Sequence, residues 1–167
     1  MKRLIGISFF TLALGLCPSL CLAQPGGNAG FEKMKRLAGE WQATSPKDEL
    51  FTSTIRLVSN GTAIEETFQN SEDDQMVTLY VPDGDRLAVT HYCSAGNQPR
   101  METGPVTADQ NEFAFSFVGI TNLSGPTAGY MHHLAIQIAD KDHFSEAWTW
   151  REKGKDKVET FHFTRKK

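Results

Sequence analysis

From Arg86 to Cys93 the chain reads R-L-A-V-T-H-Y-C, a period-two run that places Leu87, Val89, His91 and Cys93 on one face of a strand. The same alternation sets Glu146 among Phe144, Trp148 and Trp150, and His132 among Leu134, Ile136 and Ile138. Strand-like runs recur at 40–44, 52–59, 62–69, 76–81, 86–93, 101–107, 112–118, 131–139, 143–151 and 157–164. Asn60-Gly61 and Asp83-Gly84 supply the positive φ of tight hairpins, and looser turn residues separate the later runs. Successive strands should therefore pair with their neighbours. A meander of about ten strands has exposed edges unless it closes, so the expected fold is all-β: an antiparallel barrel or strongly curved sheet. Alternation proposes Val77, Leu79 and Val81, then Phe113, Phe115 and Phe117, then Phe161 and Phe163 as inward sets. Ahead of the strands, Phe31, Met34 and Leu37 or Ala38 recur at helical spacing and predict a short helix stopped by Gly39.

The N-terminus changes the picture of where this barrel works. Lys2 and Arg3 precede an apolar run at 4–16, and a short segment ends at Cys21-Leu22-Ala23, the layout of a secretory signal peptide cleaved after Ala23. The run is shorter than the roughly 20 residues of a membrane span. Residues 24–30 then form a flexible lead and 31–165 one β-barrel domain, secreted or periplasmic, with no membrane span left after cleavage. The chain has 17 Lys and Arg against 20 Asp and Glu, net −3, and losing Lys2 and Arg3 makes it more acidic. That balance argues against a nucleic-acid partner. The basic tail Arg165, Lys166, Lys167 reads as a solvated end. Cys17 and Cys21 leave with the leader, so Cys93 has no partner in its own chain and is expected to be buried as a small hydrophobe.

The segment L-A-G-E-W at 37–41 carries the glycine-x-tryptophan signature of the calycin superfamily, which includes lipocalins, fatty-acid-binding proteins and nitrobindin-like barrels. The combination of G-D-R-L at 84–87, T-H-Y-C at 90–93, G-N-Q-P-R-M at 96–101, T-N-L at 121–123, M-H-H at 131–133 and E-A-W-T-W at 146–150 resembles an uncharacterised family of small secreted bacterial proteins with a lipocalin-like domain. The resemblance covers about residues 31–165 and implies a calycin-type barrel with Trp41, beside Gly39, plugging one end as a structural residue. It implies no activity. Nitrobindin-like relatives hold a haem through a histidine, and that ligand aligns with no particular histidine here, so the cofactor stays unknown.

Polar groups on apolar strand faces cost free energy unless they are hydrogen-bonded, metal-bound or open to a wet cavity. His91, Cys93, His132 and Glu146 are such groups, and together they form a nitrogen, sulfur and oxygen set suited to zinc. The alternatives for them are a hydrogen-bonded interior network, a metal site, or a Cys-His nucleophile pair, for which the sequence offers no oxyanion device. Arg100, with Asn97 and Gln98 in a loop after the His91 strand, is placed at the barrel mouth, where it could hold a ligand carboxylate. The loop at 121–129, with Gly125, Pro126 and Gly129, is a candidate lid. The leading reading is a container for a small, partly apolar or amphipathic ligand, lined by Phe115, Trp148 and Trp150 with His91, His132, Glu146 and Arg100 as polar contacts. A metal protein or enzyme using the His/Cys/Glu cluster is the alternative, and a homo-oligomeric interaction module is the third; the reading leans away from an enzyme.

Overall fold

The computed structural model describes residues 27–44, 49–70 and 74–167. The expected leader, with Cys17 and Cys21, and the first part of the expected lead lie outside the described residues. Asn28 caps the chain's helix: its Oδ1 accepts from the Phe31 backbone N–H at 2.8 Å, and its Nδ2 donates to the carbonyls of Gly84 and Arg86. Helix α1 (Ala29–Met34) thus begins two residues ahead of the apolar spacing that predicts it, and a 3-10 turn (Lys35–Leu37) carries it to Gly39.

Ten strands follow: β1 (Gly39–Thr44), β2 (Leu50–Val58), β3 (Ala63–Gln69), β4 (Gln75–Asp83), β5 (Arg86–Tyr92), β6 (Gln98–Glu102), β7 (Glu112–Thr121), β8 (Tyr130–Ile138), β9 (His143–Glu152) and β10 (Lys155–Arg165). Each pairs antiparallel with its sequence neighbours, and β1 pairs with β10, so the sheet closes into a barrel. Closure removes every sheet edge, as the meander requires.

Three local expectations change. The sixth strand runs over Gln98–Glu102 instead of 101–107, because Gly104 and Pro105 cannot continue the ladder and Pro99 is accommodated opposite Ile120. Strand β4 has the opposite parity to that proposed: Thr78 and Tyr80 are buried, whereas Val77 and Leu79 are half-buried and Val81 is exposed. Cross-strand pairing to inward Glu66 and His91 fixes Thr78 on the inner face, and a one-residue difference moves the whole set. Arg165 is no solvated end.

One end of the barrel is packed solid. Trp41, fully buried, donates its indole N–H to the Leu37 carbonyl at 2.8 Å and meets Phe144 edge-on, while Phe144 and Phe163 stack at 4.4 Å. The Arg165 guanidinium lies 4.0 Å from the Trp41 ring and donates to the carbonyls of Ala38, Arg36 and Lys141, tying the helical segment and the β8–β9 turn to the barrel's base. Phe31, Met34 and Leu37 add the helix to this core. Toward the other end the described residues leave a cavity.

Candidate functional site

A cavity of about 420 Å³ opens between the β1–β2, β3–β4, β5–β6 and β9–β10 connections. Its apolar wall is built by alternation on β2, β3 and β10, with β1 between β10 and β2. Phe51 and Phe68 stack at 5.1 Å, and Phe161 meets both edge-on at 5.0 and 5.1 Å. Such ring pairs contribute about 0.5 to 1.5 kcal/mol each beyond their buried area. Met76, Met131, Trp148 and Trp150 complete the apolar surface.

The polar floor comes from a row of residues in register across β3, β4 and β5: Glu66 opposite Thr78, and Thr78 opposite His91. Glu66 accepts from the Ser53 hydroxyl at 2.6 Å and from the Tyr80 phenol at 2.8 Å, one on each carboxylate oxygen. Glu146, from β9, accepts from the Trp148 indole at 2.9 Å and hydrogen-bonds Glu66. Burial raises both carboxyls; the neighbouring Glu66 charge lifts Glu146 further, well above the usual carboxylate range, while Ser53 and Tyr80 restrain Glu66. The hydrogen-bonded pair therefore shares a proton, and Glu146, the more strongly raised of the two, is the one that holds it. Burial and the two glutamates hold Tyr80 neutral.

His91 stands beside this pair. Its ring lies 4.6 Å from the Trp148 ring, its Nδ1 is 2.9 Å from Thr78 Oγ1, and its Nε2 is buried with no partner among the described residues. Burial lowers its pKa to about 4, so the imidazole is neutral at physiological pH. Cys93 also lines the cavity, two residues along the same face; burial pushes its thiol above the usual range, which keeps it protonated and removes the basis for a thiolate nucleophile.

The structure brings together His91, Cys93, Glu146, Trp148 and Trp150 around the cavity. His132 is not among the lining residues. The β8–β9 register shifts between Met131 and His133, so Met131 and Leu134 sit opposite inward Trp150 and Trp148 and His132 becomes the extra residue of a bulge. It stacks on Phe117 at 5.4 Å, and its Nε2 accepts from Arg151 at 2.7 Å. No group of three His, Cys, Asp or Glu side chains among the described residues converges to hold a metal ion, so the zinc set does not assemble.

Arg100 is displaced from the proposed mouth: it lies inside β6, exposed, with its guanidinium against Gly119, because period two turns buried Pro99 and Met101 inward and Arg100 out. Phe115 is fully buried in the core, 6.0 Å from Tyr80, and lines no part of the cavity. Asn97 is buried and donates to the Gly129 carbonyl at 2.9 Å, and the Trp150 indole packs on Gly129 so closely that a Cβ there would collide. The expected lid segment is thereby fastened to the cavity wall. Glu66, Thr78 and the ring wall of Phe51, Phe68 and Phe161 are missing from the sequence reading of the site, and Glu66 carries the clearest signal. Its signal is the alternation of Ile64, Glu66 and Phe68, the same pattern that marks Glu146.

A haem is poorly matched here. His91 is the one imidazole and Lys157 the one cation lining the cavity among the described residues, and the carboxyls of Glu66, Asp74, Glu146 and Glu159 beside them are unfavourable neighbours for two anionic propionates.

No protein-family model matches the sequence, and no curated protein does either. Among solved structures the barrel is similar to a Nostoc punctiforme protein of unknown function from the DUF3598 family, with a TM-score of 0.51 and 14% sequence identity over 79% of this chain and 48% of that one. The chain thus spans about half the length of that protein, and the likeness is one of fold alone.

Proposed function

We propose that this barrel is a container for a small, partly apolar ligand, acting after export to the periplasm or the cell exterior. The observation that carries the reading is a cavity of about 420 Å³ that joins an aromatic wall to a buried imidazole whose Nε2 is unpartnered. Among the described residues, side chains fill the base of the barrel and leave a cavity in its upper part. A volume of this size falls in the range of about 300 to 1,000 Å³ typical of small-molecule sites. The mixture of apolar walls with a few positioned polar groups is what such sites use for orientation. The neutral His91, the protonated Cys93 and the lack of a converging metal set among the described residues favour binding over catalysis.

Native mass spectrometry of the purified protein, followed by organic extraction, tests this reading: a retained small molecule is expected. Titration with a neutral aromatic alcohol should quench emission from Trp148 and Trp150, which line the cavity. Saturating probe that leaves the emission unchanged, with no retained mass, would refute it.

A further inference from the structure

The cavity has a marked charge character. Glu49, Glu66, Asp74, Glu146 and Glu159 line it, and Lys157 is the one cation among the described lining residues. The groups that bond to the buried pair Glu66–Glu146 are all neutral: the Ser53 hydroxyl from β2, the Tyr80 phenol from β4 and the Trp148 indole from β9. His91, from β5, is the titratable group whose ring packs against Trp148 at 4.6 Å, and it too is neutral. Two hydrogen-bonded carboxyls that share one proton carry one negative charge between them, and among the described residues no cation bonds to them. An electron-rich ring wall stands beside that charge, and ring faces attract cations.

We propose that the container takes an organic amine: an apolar, ring-bearing body against the Phe51, Phe68 and Phe161 wall, with its ammonium group drawn toward the Glu66–Glu146 floor. The proposal rests on the cavity being a ligand site and adds the chemical class. The same features select against carboxylates, since Arg100, the cation expected to receive one, lies outside the cavity. His91 is consistent with this choice. In the tautomer whose Nδ1–H donates to Thr78 Oγ1, Nε2 is a bare acceptor, and an ammonium is a donor of three hydrogen bonds.

Calorimetry with three ligands that share one ring system reads the charge preference directly: tryptamine, which is cationic, tryptophol, which is neutral, and indoleacetate, which is anionic. Tryptamine is expected to bind tightest, with each step of charge costing about tenfold in affinity. Tryptamine affinity should also fall as pH is lowered through the raised titration of the pair, beginning above 4.5, where tryptophol affinity does not follow. Glu66→Gln, which removes the group that carries the charge of the pair, should shrink the amine-over-alcohol ratio. Indoleacetate binding as tightly as tryptamine overturns the proposal, and equal affinity for all three overturns it while leaving the container reading intact. Failure of all three to bind removes both. The wild-type ligand series decides the matter even where a glutamine variant does not fold.

Discussion

Thr78 and His91 face each other across β4 and β5, and the Thr78 hydroxyl lies 2.9 Å from Nδ1 of the imidazole. That contact fixes the ring orientation while leaving Nε2 buried and unpartnered. A satisfied core histidine would use both nitrogens. Under the proposed container reading, holding one nitrogen and sparing the other leaves a polar group ready to meet a ligand.

The same desolvation has a consequence for acid stability. The His91 pKa falls from 6.5 to about 4 on folding, so the unfolded chain binds the extra proton in that window and the native protein does not. Stability conferred by neutral His91 is complete above 6.5 and is lost as pH falls toward 4. Chemical denaturation of the wild type and of His91→Gln should show their stability difference changing by about 3 kcal/mol across the window. A pH-independent difference would mean that the imidazole is not desolvated.

The glutamate pair acts with the opposite sign. Its carboxyls titrate above 4.5 in the folded state, so their contribution is fully present below that value and is lost as pH rises through the raised pKa values. Glu146→Gln keeps a neutral hydrogen-bonding group at the position of the acid. It should gain on the wild type as pH rises, by on the order of 1–2 kcal/mol near about pH 8, as thermal melts at several pH values would record. A variant that loses stability relative to the wild type with rising pH would contradict the shared-proton arrangement.

Cys93 is buried at the cavity wall, with its thiol held protonated by desolvation. Iodoacetamide at mildly alkaline pH should label it slowly in the native protein and at least about tenfold faster after denaturation, because the thiolate is the reactive form. Rapid native labelling, read by intact mass, would restore the nucleophile reading.

Gly39 adopts φ +142°, and a Cβ at this position would run into the Arg165 guanidinium that covers Trp41. Gly39→Ala should cost about 1–3 kcal/mol through backbone strain and displacement of that cap. Arg165→Ala should cost a comparable amount by freeing the helical segment's carbonyls. Near-neutral melting temperatures for both variants would show that the base of the barrel does not depend on this contact.

Local alternation and turn chemistry were enough to read about ten antiparallel strands, the short helix, and the inward faces of β5 and β9, because period two and positive-φ turn residues are properties of neighbouring residues; the structural place of Trp41 came from the resemblance of its glycine-x-tryptophan segment to calycins. They were also enough to single out His91, Cys93, Glu146, Trp148 and Trp150. What they could not supply is parity wherever both faces of a strand carry apolar or polar groups in similar measure. On β4 the outward Val77 and Leu79 are the more hydrophobic set, yet Thr78 and Tyr80 face inward because their hydrogen bonds lie with His91 and Glu66. On β8 a single extra residue takes His132 away from the cavity, and its cause is the pairing with β9. The meeting of Glu66 and Glu146 belongs wholly to the tertiary structure. Their strands are far apart in the chain, and only the closed barrel brings the two carboxyls close enough to share a proton.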